Sequence, residues 1–565
     1  MQFIRRTIIK WLKLIVFLMP IPWLERLKRS PKLVALYSKQ VQNSGLLTFR
    51  LQSPQAARKA YKRYQANQAL HIGSLISKVE SSDQKGDVTL LVCVPNYYSD
   101  DLELTISSIE AHTLRFSAII FWCTQEDESS LKRTLMDRLH QPYKVTSCLT
   151  NFAQTKHYET PCFVIHAGDL INPALAIMLL NVVETTAELS YVDTDLYDQK
   201  GRRHTPDFKP DWNPDLQLTN GYIKTGIWLA TLQPFAEAKI ALSYFSVSLY
   251  LCHCYFHKPE QLIQHIPSVL LSQRNSLVEF SQSKALFSQL FNQHFFPLQG
   301  VRENGSVLSL RWPLLESPLV SIIIPTRNGL ALVKNCIDSI LDKTTYSNYE
   351  ILLVDNNSDD KEAIEYFAFL NTHEKVRVLQ YPHEFNYSAI NNFAARQAKG
   401  EVLALVNNDI EVISEEWLSD MVGHVNRADI GCVGAKLLYP NNRIQHAGVV
   451  MGYGGGAGHA HKHFDVDHLG YMNRLIATQN YSGVTAACLL VKKSDYWAVD
   501  GLDEDNLTVA FNDVDFCLKI LQLGRRNLYC AEAHLYHHES VSRGYENTPE
   551  KAMRFQREVQ YLKST

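Results

Sequence analysis

The chain has 565 residues, with 56 basic and 58 acidic side chains, a formal net charge of −2, 46 % hydrophobic residues and 20 % charged residues. This length suits two or three domains, and the composition suits packed cores, so a largely disordered chain is excluded. The basic residues are dispersed, which removes the electrostatic footprint of a nucleic-acid binder.

The eleven cysteines stand singly in apolar contexts such as Leu91-Val92-Cys93-Val94 and Ala487-Cys488-Leu489, with no Cys-x-x-Cys pair. That usage fits reduced, buried thiols in a cytoplasmic protein. Cys252-His253-Cys254 with His257 matches no zinc spacing and reads as buried positions of a helix.

Residues 1–30 interleave Arg5, Arg6, Lys10 and Lys13 with Ile4, Ile8, Ile9, Trp11, Leu12 and the run from Leu14, which ends at Pro20. The run is shorter than the roughly 20 apolar residues of a spanning helix. A basic amphipathic helix, peripheral at the cytoplasmic face of the inner membrane, is expected; its packing on its own protein is the competing reading. No small-residue cleavage site follows, which argues against a signal peptide. Residues 31–86 read as a helical linker, with Ala56, Ala57, Ala60, Tyr61 and Tyr64 spaced for one apolar face.

From 87 to 300 the pattern becomes α/β. Val88 to Val94 is an apolar run ending at Pro95, Leu102 to His112 is helical, and Ala118 to Cys123 is the next strand. The order recurs from 317 to 565, where Leu319 to Ile324 runs into Pro325, Leu332 to Leu341 is helical, and Glu350 to Val354 ends at Asp355. Two similar openings imply an internal duplication and two open, mainly parallel sheets, with a linker near Gly300 to Ser317. Ligands of such sheets sit beyond the carboxyl ends of the strands.

In the second unit those ends carry Pro325-Thr326-Arg327-Asn328, Asp355-Asn356-Asn357-Ser358 and Asn407-Asn408-Asp409. Strand-end polar groups can grip a base and ribose, although Asp-Asn is as often a turn that bonds its own backbone. A carboxylate at Asp409 suits a divalent cation that neutralises a diphosphate, and Tyr536-His537-His538-Glu539-Ser540 is the best source of a further ligand. Asp513 and Asp515 open an amphipathic helix. The helix dipole accounts for one of them, Asp515, and Asp513 is the expected general base.

From Ser321-Ile322-Ile323-Ile324-Pro325-Thr326 through Asn407-Asn408-Asp409, Gln445-His446-Ala447-Gly448 and Thr485-Ala486-Ala487-Cys488 to Phe511-Asn512-Asp513-Val514-Asp515 and His537-His538-Glu539-Ser540, the chain resembles a family 2 glycosyltransferase. The similar branch is the bacterial one that includes O-antigen rhamnosyltransferases. The resemblance implies a GT-A fold, a nucleotide-diphosphate sugar donor (a UDP- or dTDP-sugar, with dTDP-rhamnose the family-based choice), a glycan or lipid-linked acceptor, Mn²⁺ or Mg²⁺ as cofactor, and inversion. It places Pro325, Thr326 and Asp355 on the nucleoside and the family's Asp-x-Asp motif on Asn407-Asn408-Asp409, with Asp409 the direct ligand. The late histidine falls on His537, with His538 as alternative, and the base on Asp513. Asn328, Asn357, Asn386, Asn407, Asn408 and His446 complete the expected donor site. The alternating His459, His461 and His463 read as a glycine-rich loop over donor or acceptor.

Tyr191-Val192-Asp193-Thr194-Asp195, Phe208-Lys209-Pro210-Asp211 and His265-Ile266-Pro267 resemble a second domain of the same family. There, Ile165 and Ala167 stand in acidic places with Asp169 kept nearby, Ser272 matches the late histidine, and the helix Ile240 to Tyr255 has no carboxylate. A degenerate, packing or glycan-holding domain is expected. The alternatives are a bifunctional transferase, kept open by Asp193 and Asp195, and a non-catalytic glycan-binding scaffold.

Overall fold

Val320–Thr326 (β12) is β-branched almost throughout and wholly buried, as a strand flanked by parallel neighbours and covered on both faces must be. β12 pairs in parallel with Tyr349–Asp355 (β13) on one side and Val402–Val406 (β15) on the other, and β13 carries the edge strand Val376–Gln380 (β14). The sheet continues through Cys488–Lys492 (β22), Ile430–Leu438 (β17) and Arg526–His537 (β23) to Ile410–Val412 (β16). The register Thr326↔Asp355 brings those two strand ends side by side. Short strands Ile444–His446 (β18), Val449–Met451 (β19), Ala457–His459 (β20) and Gln479–Tyr481 (β21) lie in the connection before β22.

These observations come from a computed structural model that describes residues 54–79, 88–274, 300–538 and 549–564, apart from 98, 112–115, 153–154, 156–157, 173–174, 176–186, 199, 259–260, 305, 315–316 and 454–455. The basic amphipathic segment 1–30 lies outside the described residues, as does the part of the late motif from Glu539 to Gly544. No helix among the described residues is long and apolar enough to cross a membrane.

The earlier strands are Thr89–Val94 (β1), Ala118–Cys123 (β2), Tyr143–Thr146 (β3), Cys162–His166 (β4), Leu170–Ile171 (β5), Leu189–Tyr197 (β6), Arg203–Asp207 (β7), Ile227–Leu229 (β8) and Ile263–Arg274 (β9). Their order, β3-β2-β1-β4-β8-β6-β9-β5, repeats that of the later sheet, β14-β13-β12-β15-β22-β17-β23-β16. The directions repeat too: β1·β2 and β12·β13 are parallel, β4·β8 and β15·β22 antiparallel, and β6·β9 and β17·β23 parallel with interrupted register. The chain is therefore α/β with two mixed sheets of one topology, as the two similar sequence openings imply.

The earlier sheet belongs to a unit of residues 52–311 and 471–479, the later to a unit of 312–470 and 480–565. Gly300 to Ser317, expected as a linker, instead contributes a hairpin of Gly300–Asn304 (β10) and Val307–Arg311 (β11), with Val307 and Leu308 buried. Its alternating apolar residues suit a strand, and Asn304-Gly305-Ser306 is a sequence of the kind that favours a turn. The segment 471–479 is held inside the earlier unit by Tyr471 Oη, which accepts from Phe208 N (2.7 Å), and by bonds from Asn220 and Thr219 to the carbonyls of Met472 and Thr478. Cys252 and Cys254 are buried positions of the helix Ser246–His257.

Candidate active site

Four strand ends and one helix start build the site. β12 ends on Thr326, and Gly329 and Asn328, both left-handed (φ 66° and 52°), turn the chain into the helix Leu330–Lys343. Asn328 clamps two loops together: its Oδ1 accepts from the N–H groups of Asp359 and Asp360, and its Nδ2 donates to Asp359. Asp355, at the end of β13, accepts from Ser358 N at 3.0 Å, the turn that an Asp-Asn sequence favours. Asn357 is exposed with φ 56°. Pro325, Thr326 and Asp355 are all buried at neighbouring strand ends.

β15 ends at Val406, after which Asn407, Asn408 and Asp409 cross to β16. Asn408 Nδ2 donates to Thr326 Oγ1 at 3.0 Å, tying this turn to the end of β12. Asp409 and His537 are both buried, and His537 Nε2 stands 3.1 Å from Asp409 Oδ1. Asn407 Nδ2 lies 3.3 Å from the same nitrogen, and Gln445 Nε2 lies 2.8 Å from His537 Nδ1. β23 alternates, so the next side chain points elsewhere: His538 Nε2 meets Glu411 Oε2 at 2.9 Å. Burial pushes the Glu411 carboxyl up, but bonds from Asn335 and His538 outweigh it and hold the group below its ordinary value. The His538 ring, the alternative ligand, thus meets Glu411 rather than the Asp409 carboxylate, while its N–H donates to Asp409 O at 2.9 Å. The His537 ring reaches that carboxylate, because one residue along a strand reverses the face.

A carboxylate and an imidazole suit Mn²⁺ or Mg²⁺, given the further oxygen ligands that a diphosphate supplies. Two cis ligands of an octahedral ion at about 2.1 Å stand roughly 3.0 Å apart, so the Asp409–His537 separation fits such an ion.

Asp513 is the second residue of the helix Asn512–Gln522, entered through Phe511 in the left-handed region (φ 60°). Its Oδ2 accepts from Ala486 N (3.1 Å) and its Oδ1 from Val514 N (2.9 Å). Burial pushes its carboxyl above the ordinary value against these bonds. Asp515 is instead buried in an ion pair with Lys519 (2.7 Å), a helix-surface role.

The turn Thr485–Ala487 joins the two halves of the site. Ala486 N holds Asp513, Ala487 O accepts from Asn407 N (3.0 Å), and Tyr387 Oη bridges Ala486 O (3.0 Å) and Asn407 Oδ1 (3.3 Å). Sequence reasoning missed Tyr387 and Gln445 as site residues. Tyr387 carries no signal beyond opening a helix, whereas Gln445 lies in the quoted Gln445-His446-Ala447-Gly448 motif.

Two expected donor residues have other work. Asn386 caps the helix Tyr387–Gln397, with Oδ1 accepting from Ala389 N and Nδ2 donating to Glu504 O. His446 is fully buried, and burial pushes its pKa well below the ordinary value. Its Nδ1 meets His459 Nδ1 at 2.8 Å and its Nε2 accepts from Gly448 N and Thr485 N, so it ties the β19–β20 hairpin to the joining turn.

In the earlier unit Asp169, the residue before Leu170, keeps a carboxylate where Asp409 stands, while the late histidine is replaced. Leu170 faces Ser272 in the pairing of β5 with β9, as Ile410 faces His537 in β16 with β23. The helix Ser246–His257 carries no carboxylate, whereas Asn512–Gln522 opens with Asp513 and Asp515. Asp169 accepts from Thr225 Oγ1 (2.6 Å) and His166 N (2.9 Å), and burial pushes it up to about 6. Asp193 meets His265 Nε2 (2.9 Å) and Lys209 N (2.8 Å), while Asp195 is bonded by Tyr61 and by Arg203 Nε (2.7 Å).

Residues 321–495 match the family described as Glycosyl transferase family 2. The chain is 42 % identical over 416 residues to the uncharacterized protein y4gI of Sinorhizobium fredii, a match that covers 70 % of this chain and 45 % of that protein. It is 34 % identical over 408 residues to the O-antigen biosynthesis protein RfbC of Myxococcus xanthus, covering 68 % of this chain and 31 % of that protein. The chain therefore spans less than half the length of these two curated relatives. Among solved structures it is similar to the mannosyltransferase PcManGT from Pyrobaculum calidifontis in complex with GDP-Man and Mn²⁺, at 15 % identity and a TM-score of 0.34, over 51 % of this chain and 73 % of that one. The likeness to glycosyl transferase family 2 is thus carried by residues 321–495 of this chain.

Proposed function

We propose that residues 317–565 form an inverting glycosyltransferase that moves a sugar from a nucleotide-diphosphate sugar to a glycan or lipid-linked acceptor. The observation that carries this reading is the buried pairing of Asp409 with His537 at the carboxyl end of β15, joined through Thr485–Ala487 to the carboxylate of Asp513. A divalent cation, when bound, neutralises the charge that develops on the departing nucleotide diphosphate. Asp409 and His537 would hold it. Thr326, Asp355 and Asn408 border the place for the nucleoside, and Asp513 takes the acceptor hydroxyl proton as that oxygen attacks the anomeric carbon.

Single displacement with Asp513 as the base accounts for the inversion that the resemblance implies. A UDP- or dTDP-sugar, dTDP-rhamnose among them, and a place in bacterial surface polysaccharide synthesis follow from the resemblance and from the name of the Myxococcus xanthus relative. Peripheral contact of residues 1–30 with the cytoplasmic face of the inner membrane belongs to the same proposal.

The earlier unit is read as degenerate, serving as packing or a glycan-holding surface. The helix Ser246–His257 offers no carboxylate base, Ser272 replaces the late histidine, and Asp169, Asp193 and Asp195 are engaged in bonds within the unit. The test is turnover of a panel of UDP-, dTDP- and GDP-sugars by the full chain with Mn²⁺ or Mg²⁺, beside D409A and D513N. Turnover of one donor that needs the metal and is lost in both variants is expected. A folded chain that binds glycan and turns over no donor would favour the scaffold reading.

A further inference from the structure

The imidazole of His537 is addressed at both nitrogens by amide NH₂ groups: Gln445 Nε2 at 2.8 Å from Nδ1, and Asn407 Nδ2 at 3.3 Å from Nε2. A neutral imidazole accepts at one nitrogen and donates at the other. Without a cation, Nε2–H can donate to Asp409 Oδ1. An Nε2 that serves a cation needs its lone pair, which puts the proton on Nδ1 and requires the Gln445 amide to present its oxygen there. The two ends of an amide fill nearly the same space, so turning it over costs little in packing. Turning Gln445 places Oε1 against Nδ1 at an ordinary hydrogen-bond distance. The proton then sits on Nδ1, and the Nε2 lone pair faces Asp409 Oδ1 at 3.1 Å, where two electron-rich atoms repel until a cation lies between them.

The backbone explains why Gln445 reaches this ring. β18 pairs with β17 through Leu437↔His446 and Leu438↔Ile444, which leaves Gln445 as the extra residue of a β-bulge. A bulge re-aims a side chain that a regular ladder would send elsewhere. Gln445 is 3 % exposed, so its amide acts inside the protein.

We infer that Gln445 is a positioning residue that holds His537 in its metal-ligating tautomer, by accepting the Nδ1 proton while Nε2 is turned toward Asp409. The inference rests on the proposed metal site and adds the group that readies it. Outer partners of this kind change metal affinity about 10–100-fold when removed.

Mn²⁺ binding, followed by the loss of the free-ion EPR signal with Mn²⁺ alone and with UDP, dTDP or GDP, tests it without reference to turnover. Q445L is expected to bind Mn²⁺ about 10–100-fold more weakly than the wild-type chain. Q445E, which keeps an acceptor for Nδ1, should stay close to wild type. In an H537A background, Q445L should cost little more, because the residue acts through that ring. Q445L and Q445E weakened equally with unchanged far-UV spectra would make Gln445 a packing residue and overturn the inference. So would Q445L binding as wild type while H537A does not. A wild-type chain that takes up no Mn²⁺ under any of these conditions would overturn the metal reading itself.

Discussion

Asp513 shows how one residue can be tuned by opposed effects. Burial raises its carboxyl, the N–H groups of Ala486 and Val514 lower it, and burial prevails. The proposed base is therefore competent only above the ordinary carboxylate range, and the acid limb of the kcat profile should lie above that range too. D513N should lower kcat by about 10²–10⁴-fold, with donor KM little changed, and should abolish that limb. Asp169 offers a stability test of the same physics. Its pKa is raised on folding, so its favourable contribution is full below about pH 4 and is lost as pH rises through about 6. A shift from 3.8 to about 6 corresponds to roughly 3 kcal/mol. D169N, neutral throughout, should melt above the wild-type chain at pH 8, with the gap closing toward pH 4.5 in differential scanning calorimetry. Asp409, His537 and Asp513 could be nominated from the sequence because each follows an apolar run or opens a helix, and the structure pairs the first two. The choice between His537 and His538 rested on the resemblance, and the geometry behind it is strand alternation read from a partner strand.

At the scale of elements, apolar runs closed by Pro325, Asp355 and Asn407 marked β12, β13 and β15, and structure and sequence agree on them to within a residue or two. The bulge at Gln445 was not legible, because register depends on the partner strand rather than on the segment itself. The same holds for Thr485–Ala487, whose importance comes from what packs beneath it. Gly434 in β17 lies so close to Val484 that an added Cβ would stand 2.4 Å from that residue's Cβ. G434A must displace Val484 and with it the turn that holds Asp513 and Asn407. Overpacking of this kind costs about 1–3 kcal/mol. Chemical denaturation should show that loss, and kcat should fall further than in an equally destabilised variant remote from the turn.

At the scale of the molecule, the sequence disclosed a duplication through two similar openings, and the two sheets repeat one strand order. It did not disclose that 300–311 folds back as a hairpin or that 471–479 belongs to the earlier unit, because both depend on contacts far along the chain. In the earlier unit Asp195 bridges Tyr61 on the helix Pro54–Val79 and Arg203 on β7. D195A should lower stability by about 1–3 kcal/mol through the groups it leaves unpaired, and should leave the linkages in the product unchanged. Loss of one of two linkages would instead make the earlier unit a second transferase.

The most direct test of the central claim is transfer by the full chain with a panel of UDP-, dTDP- and GDP-sugars and membrane glycolipid extract, with Mn²⁺ present or chelated. One donor should be turned over only with the metal, giving a product of inverted anomeric configuration, and D409A and D513N should abolish it. Turnover that survives chelation or either substitution would contradict the site described, and a well-folded chain that turns over no donor would contradict the assignment as a transferase.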